Sequence, residues 1–208
     1  MKKIVIATLL MSFSITAQEH KKNDFEIAPY FGIASANYYG DVNFTTNNSI
    51  FSSSFGLDAY FYINSSWSFK MGIGQAIMGS NAYLNNNNVK EKLRFIAVPF
   101  HVNRLFGASD NWMFNFGPTI SFLKGVSLNG VDVGVDGIRT DHIGLGFGVA
   151  YRYKITNTII LSFDYQGYVG FTNNLYHKIY GKQPPFIGNI YSSLSLKAIY
   201  KLGNNNLI

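Results

Sequence analysis

Glu26, Asp58 and Asp164 on the acidic side, and Lys70, Arg152 and Lys197 on the basic side, carry the chemistry with the largest consequences in this 208-residue chain. Each lies in a stretch where apolar and polar residues alternate, and each falls on the polar side of that alternation. Opposite charges on one face of a sheet either pair with one another or line a polar path. A buried charge without a partner is costly, so pairing is the expectation. Asp58 and Lys70 stand one diagonal apart across the short segment 64–66, and Arg152 and Asp164 stand in the same relation across 156–158. Lys197, near the end of the chain, would meet Glu26, near its beginning, if the sheet closed on itself. Such pairs would fill an interior and hold its register, leaving little room for a solute.

The other residues of chemical interest point to less. His101, His142 and His177 are the histidines downstream of His20. His142 beside Asp141 is the best candidate for a rim site of the kind an enzyme acting on lipid A or phospholipid would need. Neighbours on a strand point to opposite faces, which argues against the pair acting together. Asp132, Asp136 and Asp141 lack the density of oxygen ligands of a calcium loop. Gly144, Gly146 and Gly148 share one face of a strand with no helix following, so they make room for large neighbours such as Tyr60, Tyr62 or Arg152 rather than cradle a phosphate. No catalytic residue, cofactor or metal is expected.

The elements that must position these residues are long strands. Leu93 to Phe106 alternates for more than ten residues, with Ile96, Val98, Phe100 and Val102 on one side and Ala97, Pro99, His101 and Asn103 on the other. Strands of soluble domains run to about 5–6 residues, whereas a tilted strand crossing a bilayer needs about 9–11. Seven further segments alternate in the same way: 25–36, 55–63, 67–78, 112–123, 143–154, 159–171 and 190–202. Short connections at 64–66, 107–111 and 156–158 take turns with long ones at 39–54, 79–91, 124–141 and 173–189. This rhythm predicts an all-β, eight-stranded antiparallel up-and-down transmembrane barrel, with short periplasmic turns and longer outer loops.

Composition agrees. Charged residues make up 13% of the chain and aromatic residues 16%, against about 25% charged in a soluble domain. Eight strands enclose an interior only just wide enough for side chains, so rings such as Phe114, Phe116, Phe147 and Phe163 must face outward, into lipid. Met1 to Ala17, with Lys2 and Lys3 ahead of an apolar run, reads as a secretory signal, and 18–208 as the barrel. There is no cysteine, and the net charge of +6 is scattered rather than gathered into a nucleic-acid-binding stripe. The last loop, 175–189, carries Tyr176, Tyr180 and Phe186 for headgroups or a partner. These features predict a monomer in the outer membrane whose contacts are lipid and other envelope proteins.

The strand around Pro99 resembles one found in the PorT-like outer-membrane barrel proteins, typically written LEIPLLLKY. Ile96, Val98, Pro99, Phe100 and Val102 match it, while Ala97 stands where glutamate is usual and Asn103-Arg104 replaces the lysine-aromatic pair. The FEIAPYFGI start at 25–33 matches the first strand of such proteins. The resemblance implies an integral outer-membrane protein, and some members assist protein secretion through the type IX system.

Overall fold

The computed structural model describes residues 20–40, 47–84, 87–107, 109–135, 138–174 and 186–202. The expected signal segment, Asp136, and the part of the last loop holding Tyr176, His177 and Tyr180 lie outside them. Ten strands follow in order: β1 (Phe25–Gly40), β2 (Asn47–Asn48), β3 (Ile50–Tyr62), β4 (Trp67–Leu84), β5 (Asn87–Phe106), β6 (Trp112–Leu128), β7 (Val131–Val133), β8 (Asp141–Lys154), β9 (Ile159–Gly170) and β10 (Ile187–Leu202). The short β2 and β7 extend β4 and β6. The other eight form a ring in which every pair is antiparallel and β10 returns to β1. A closed ring leaves no unpaired edge.

The short turns have local causes. The Asn64 side chain accepts from the Ser66 and Trp67 amides, both at 2.9 Å, and so reverses the chain between β3 and β4. The Thr156 hydroxyl accepts from the Thr158 and Ile159 amides at 3.2 and 3.0 Å between β8 and β9.

Parity along each strand decides what faces where. Phe31, Ile33, Phe69 and Phe163 are 63%, 64%, 52% and 59% exposed, on the outside of the ring. The residues between such positions point inward and are buried, Glu26, Asn115 and Arg152 among them. Water does not tolerate a contiguous belt of exposed rings, and hydrocarbon does. On β5 the outward apolar run from Ile96 to Val102 is bounded by Arg104, whose guanidinium lies 5.4 Å above the Trp67 ring, and by Arg94 ten positions away. At ~3.3 Å per residue and ~45° tilt this spans ~23 Å, close to the ~25 Å apolar band of outer-membrane barrels.

Above that band the sense of the alternation reverses. Ala34, Ala36 and Tyr38 of β1 are inside while Ser35 and Asn37 are outside. Leu93 and Phe95 of β5 are inside while Lys90, Lys92 and Arg94 face out. The inward residues join Ile50, Met78, Leu123, Val126, Tyr168 and Tyr191 in one apolar cluster. The strands therefore run further than the sequence reading placed them. Most of 79–91, read as a loop, is the paired hairpin of β4 and β5. The ladder continues because an apolar core of the soluble kind stabilises it from within. The interior is thus not polar throughout: a second apolar cluster, with Tyr60, Leu105, Met113, Ile160 and Ile199, packs its periplasmic end.

Candidate functional site

Between the two apolar clusters lies a layer of charge. Lys197 is its hub. Its Nζ sits 2.6 Å from Asp58 Oδ2 and 2.8 Å from Asp164 Oδ2, and donates to the Tyr60 hydroxyl at 3.2 Å. Ser162 donates to the other Asp164 oxygen at 2.5 Å. Nearer the periplasm, Arg152 grips Glu26 through Nη2, at 2.9 and 2.7 Å to its two oxygens, and Nη1 donates to the Tyr62 hydroxyl. That hydroxyl donates in turn to Glu26 at 3.0 Å. Charge-assisted bonds of this kind are the stronger class, and here the partners are buried.

The pairs are not the ones expected from the sequence. Glu26 bonds Arg152, and Lys197 bonds Asp58 and Asp164. Closure places Glu26 opposite Lys201 and puts Lys197 opposite Tyr30, four residues deeper. The diagonals across the short turns exist, since Tyr60 faces Lys70 and Ala150 faces Asp164. Neither of those diagonals is used; Lys197 instead meets Asp164 along a diagonal of the adjacent β10–β9 ladder, while Arg152–Glu26 and Lys197–Asp58 join strands that are not neighbours in the ring. Lys70 makes only two long bonds, at 3.4 Å each, to Asn115 Oδ1 and Gln166 Oε1. Its charge offsets the second carboxylate of the Asp58–Lys197–Asp164 group through space.

Beside Lys70 a cavity of about 90 Å³ remains, lined among others by Tyr30, Met78, Pro99, His101 and Tyr168. The expectation that ion pairs leave no void is therefore corrected; the space, mostly apolar in its lining but edged by Asp58, Lys70 and Lys197, is roomy enough for about three waters at ~30 Å³ each. The glycine row serves other neighbours than those expected. Gly146 makes room for the His101 ring, whose atoms would lie 2.5 and 2.6 Å from an added Cβ, and Gly144 makes room for Tyr168.

The matched strand divides by parity as well. Ile96, Val98, Phe100 and Val102 face outward and Pro99 faces the cavity. Proline has no amide hydrogen, and the β4–β5 pairing lapses between Met71–Phe100 and Gly74–Ala97 on either side of it. His142 and Asp141 diverge. His142 is buried against Phe95 and bonds the Arg139 carbonyl oxygen at 2.9 Å, while Asp141 is outside, 3.2 Å from the Arg139 guanidinium. Among the described residues no group of three or more acidic, histidine or cysteine side chains is placed to hold a metal.

Sequence reasoning missed the residues that close the periplasmic mouth. His20 stacks on Tyr62 with ring centroids 4.0 Å apart and planes 3° from parallel. The segment is held by Asn23 donating to the Tyr62 carbonyl at 2.8 Å and by Lys201 meeting Asp24 at 2.6 Å. Burial, with Arg152, Lys201 and Lys154 nearby, lowers the His20 pKa from 6.5 to about 2, although Glu26 is 3.6 Å away. The docked imidazole is neutral while a released one binds a proton below pH 6.5. Docking is therefore complete above pH 6.5 and weakens as the pH falls, by up to about 1.4 kcal/mol per unit. An NMR titration of His20 in micelles should show no midpoint between pH 5 and 8; a midpoint near 6.5 would mean that the ring is not docked.

No protein-family model matches the chain, and no curated protein matches it. The solid-state NMR structure of the outer membrane protein AlkL in lipid bilayers superposes with a TM-score of 0.55 at 12% identity, covering 95% of this chain and 98% of that one. The crystal structure of the outer membrane protein OprG from Pseudomonas aeruginosa superposes with a TM-score of 0.51 at 11% identity, covering 90% and 99%. The chain has the fold of a small outer-membrane β-barrel. At such identities the likeness speaks for the fold alone. The belt of outward rings then places the barrel in the outer membrane, with lipid around its girth.

Proposed function

We propose that this barrel is a non-conducting, non-enzymatic component of the cell envelope, working through its outer surfaces and contacts with other envelope proteins. The observation that carries the reading is the interior: Lys197 with Asp58 and Asp164 between two apolar clusters, and Arg152 with Glu26 set into the periplasmic one. An interior packed in this way argues against a continuous water path. The divergence of His142 and Asp141 supports the absence of rim catalysis. Within this reading, the strand around Pro99 favours a PorT-like accessory role in type IX protein secretion.

Planar-bilayer recording tests the first part. Neither the wild-type barrel nor Arg152→Ala, which opens only the periplasmic end and leaves the Lys197 layer and the outer apolar cluster in place, should show conductance steps. Sustained wild-type conductance would overturn the reading. A deletion strain assayed for export of type IX cargo tests the secretion role, with unchanged export as the outcome that sinks it.

A further inference from the structure

Above the apolar band the outward face of β5 carries Lys90, Lys92 and Arg94 at alternate positions, with inward Glu91 and Leu93 between them. Glu91 is turned to the interior, where Tyr38 donates to it at 2.6 Å. On the adjacent β6, Lys124 joins this column. The β5–β6 register shifts between Arg94 and Phe95, which leaves Lys124 unpaired in the ladder and turned outward. Bulges often re-aim a side chain in this way. The next residue, Gly125, lets the Arg94 guanidinium lie across β6: a Cβ there would stand 2.7 Å from Nη2.

Arg94 has one exposed partner, Asp132, 3.0 Å from Nη2. Exposed pairs of this kind contribute little, and the rest of the guanidinium fork stays available. Among the described residues no carboxylate lies within 4 Å of Lys90, Lys92 or Lys124. At the same level β1, β3 and β10 present Ser35, Asn37, Ser53 and Ser192, all neutral. Below the cations, Phe55, Ile73 and Ile96 line a lipid-facing groove of about 400 Å³, with Arg94 and Lys124 at its rim.

We propose that this flank binds a phosphorylated acyl glycolipid of the lipid A type from the outer leaflet. Its phosphates would meet the cation column, and one acyl chain would lie in the groove. Arginine matches phosphate with paired donors, and lysine supplies point charge. Lys90 to Arg94 spans ~13 Å along the strand. A single phosphate cannot cover that spread; a disaccharide phosphorylated at both ends can. The groove runs down from the headgroup level reached by Arg94, so headgroup and chain are served together.

The test uses the full mature chain in nanodiscs containing diphosphoryl lipid A, with retained lipid read by native mass spectrometry. The wild type should retain lipid A, and each cation removed should weaken retention about fivefold. K90Q/K92Q/R94Q/K124Q should therefore lose it, while K21Q/K22Q at the periplasmic end should not. The exposed single variant Lys124→Gln, checked for heat-dependent gel mobility, keeps the test sound if the quadruple variant folds poorly. Three results would each overturn the proposal: retention by folded Lys124→Gln equal to wild type, retention by a folded quadruple variant equal to wild type, or displacement of lipid A by an equal amount of phosphatidylglycerol.

Discussion

Replacing Lys197 by methionine should destabilise the barrel by about 3–5 kcal/mol, the range for removing one partner of a buried ion pair. The upper end is expected, because a single cation serves two carboxylates. Asp58 and Asp164 are 4% and 2% exposed, and each has an oxygen within 2.8 Å of the Lys197 amine. Tyr60 and Ser162 would remain as donors and partners, but neither carries charge. The remaining cation of the layer, Lys70, is engaged with two amide oxygens. Urea unfolding in lipid vesicles, followed by tryptophan fluorescence, measures the loss. The triple variant Lys197→Met, Asp58→Asn, Asp164→Asn should recover much of it, since a buried ionic group replaced as a unit by neutral residues is often tolerated. Wild-type stability in Lys197→Met alone would show that the ionic layer does not hold the lumen together.

The second large effect concerns the outside. Phe116→Arg should cost about 2–4 kcal/mol, the price of a cation near the bilayer midplane. Phe116 lies in the middle of the outward run of β6, between Trp112 and Lys124, and is 48% exposed. The same change at Phe122, next to Lys124 at the upper edge of the band, should cost only about 0–1 kcal/mol. Refolding into vesicles at several urea concentrations gives both values. The difference between depths is the diagnostic quantity. Two equal, small costs would mean that water, not hydrocarbon, surrounds the rings.

Both substitutions probe the contrast between inside and outside, and that contrast was legible from the chain alone. With period two, the faces of Phe116 and Asn115 are settled by neighbours one residue away, and so is the face of every charged residue on the strands. Strand number and the short turns are equally local. Asn64 and Thr156 reverse the chain through bonds to amides two and three residues ahead.

Apart from Lys197 and Asp164, which meet across the β9–β10 ladder, what a charge bonds is not local. Arg152 and Glu26 are 126 positions apart, and Lys197 and Asp58 are 139. They meet because the ring closes with Glu26 opposite Lys201, a register fixed by all eight ladders at once. The outer ends of the strands escaped for a related reason. Lys90, inside the 79–91 connection, reads as loop because its polar side chain faces water, and only the apolar cluster further along β5, around Leu93, Phe95 and Tyr168, shows why the strand continues through it. Alternation along one chain therefore determined which residues look inward. Closure of the ring decided which of them touch, because side chains meeting across a lumen belong to strands that are remote in sequence.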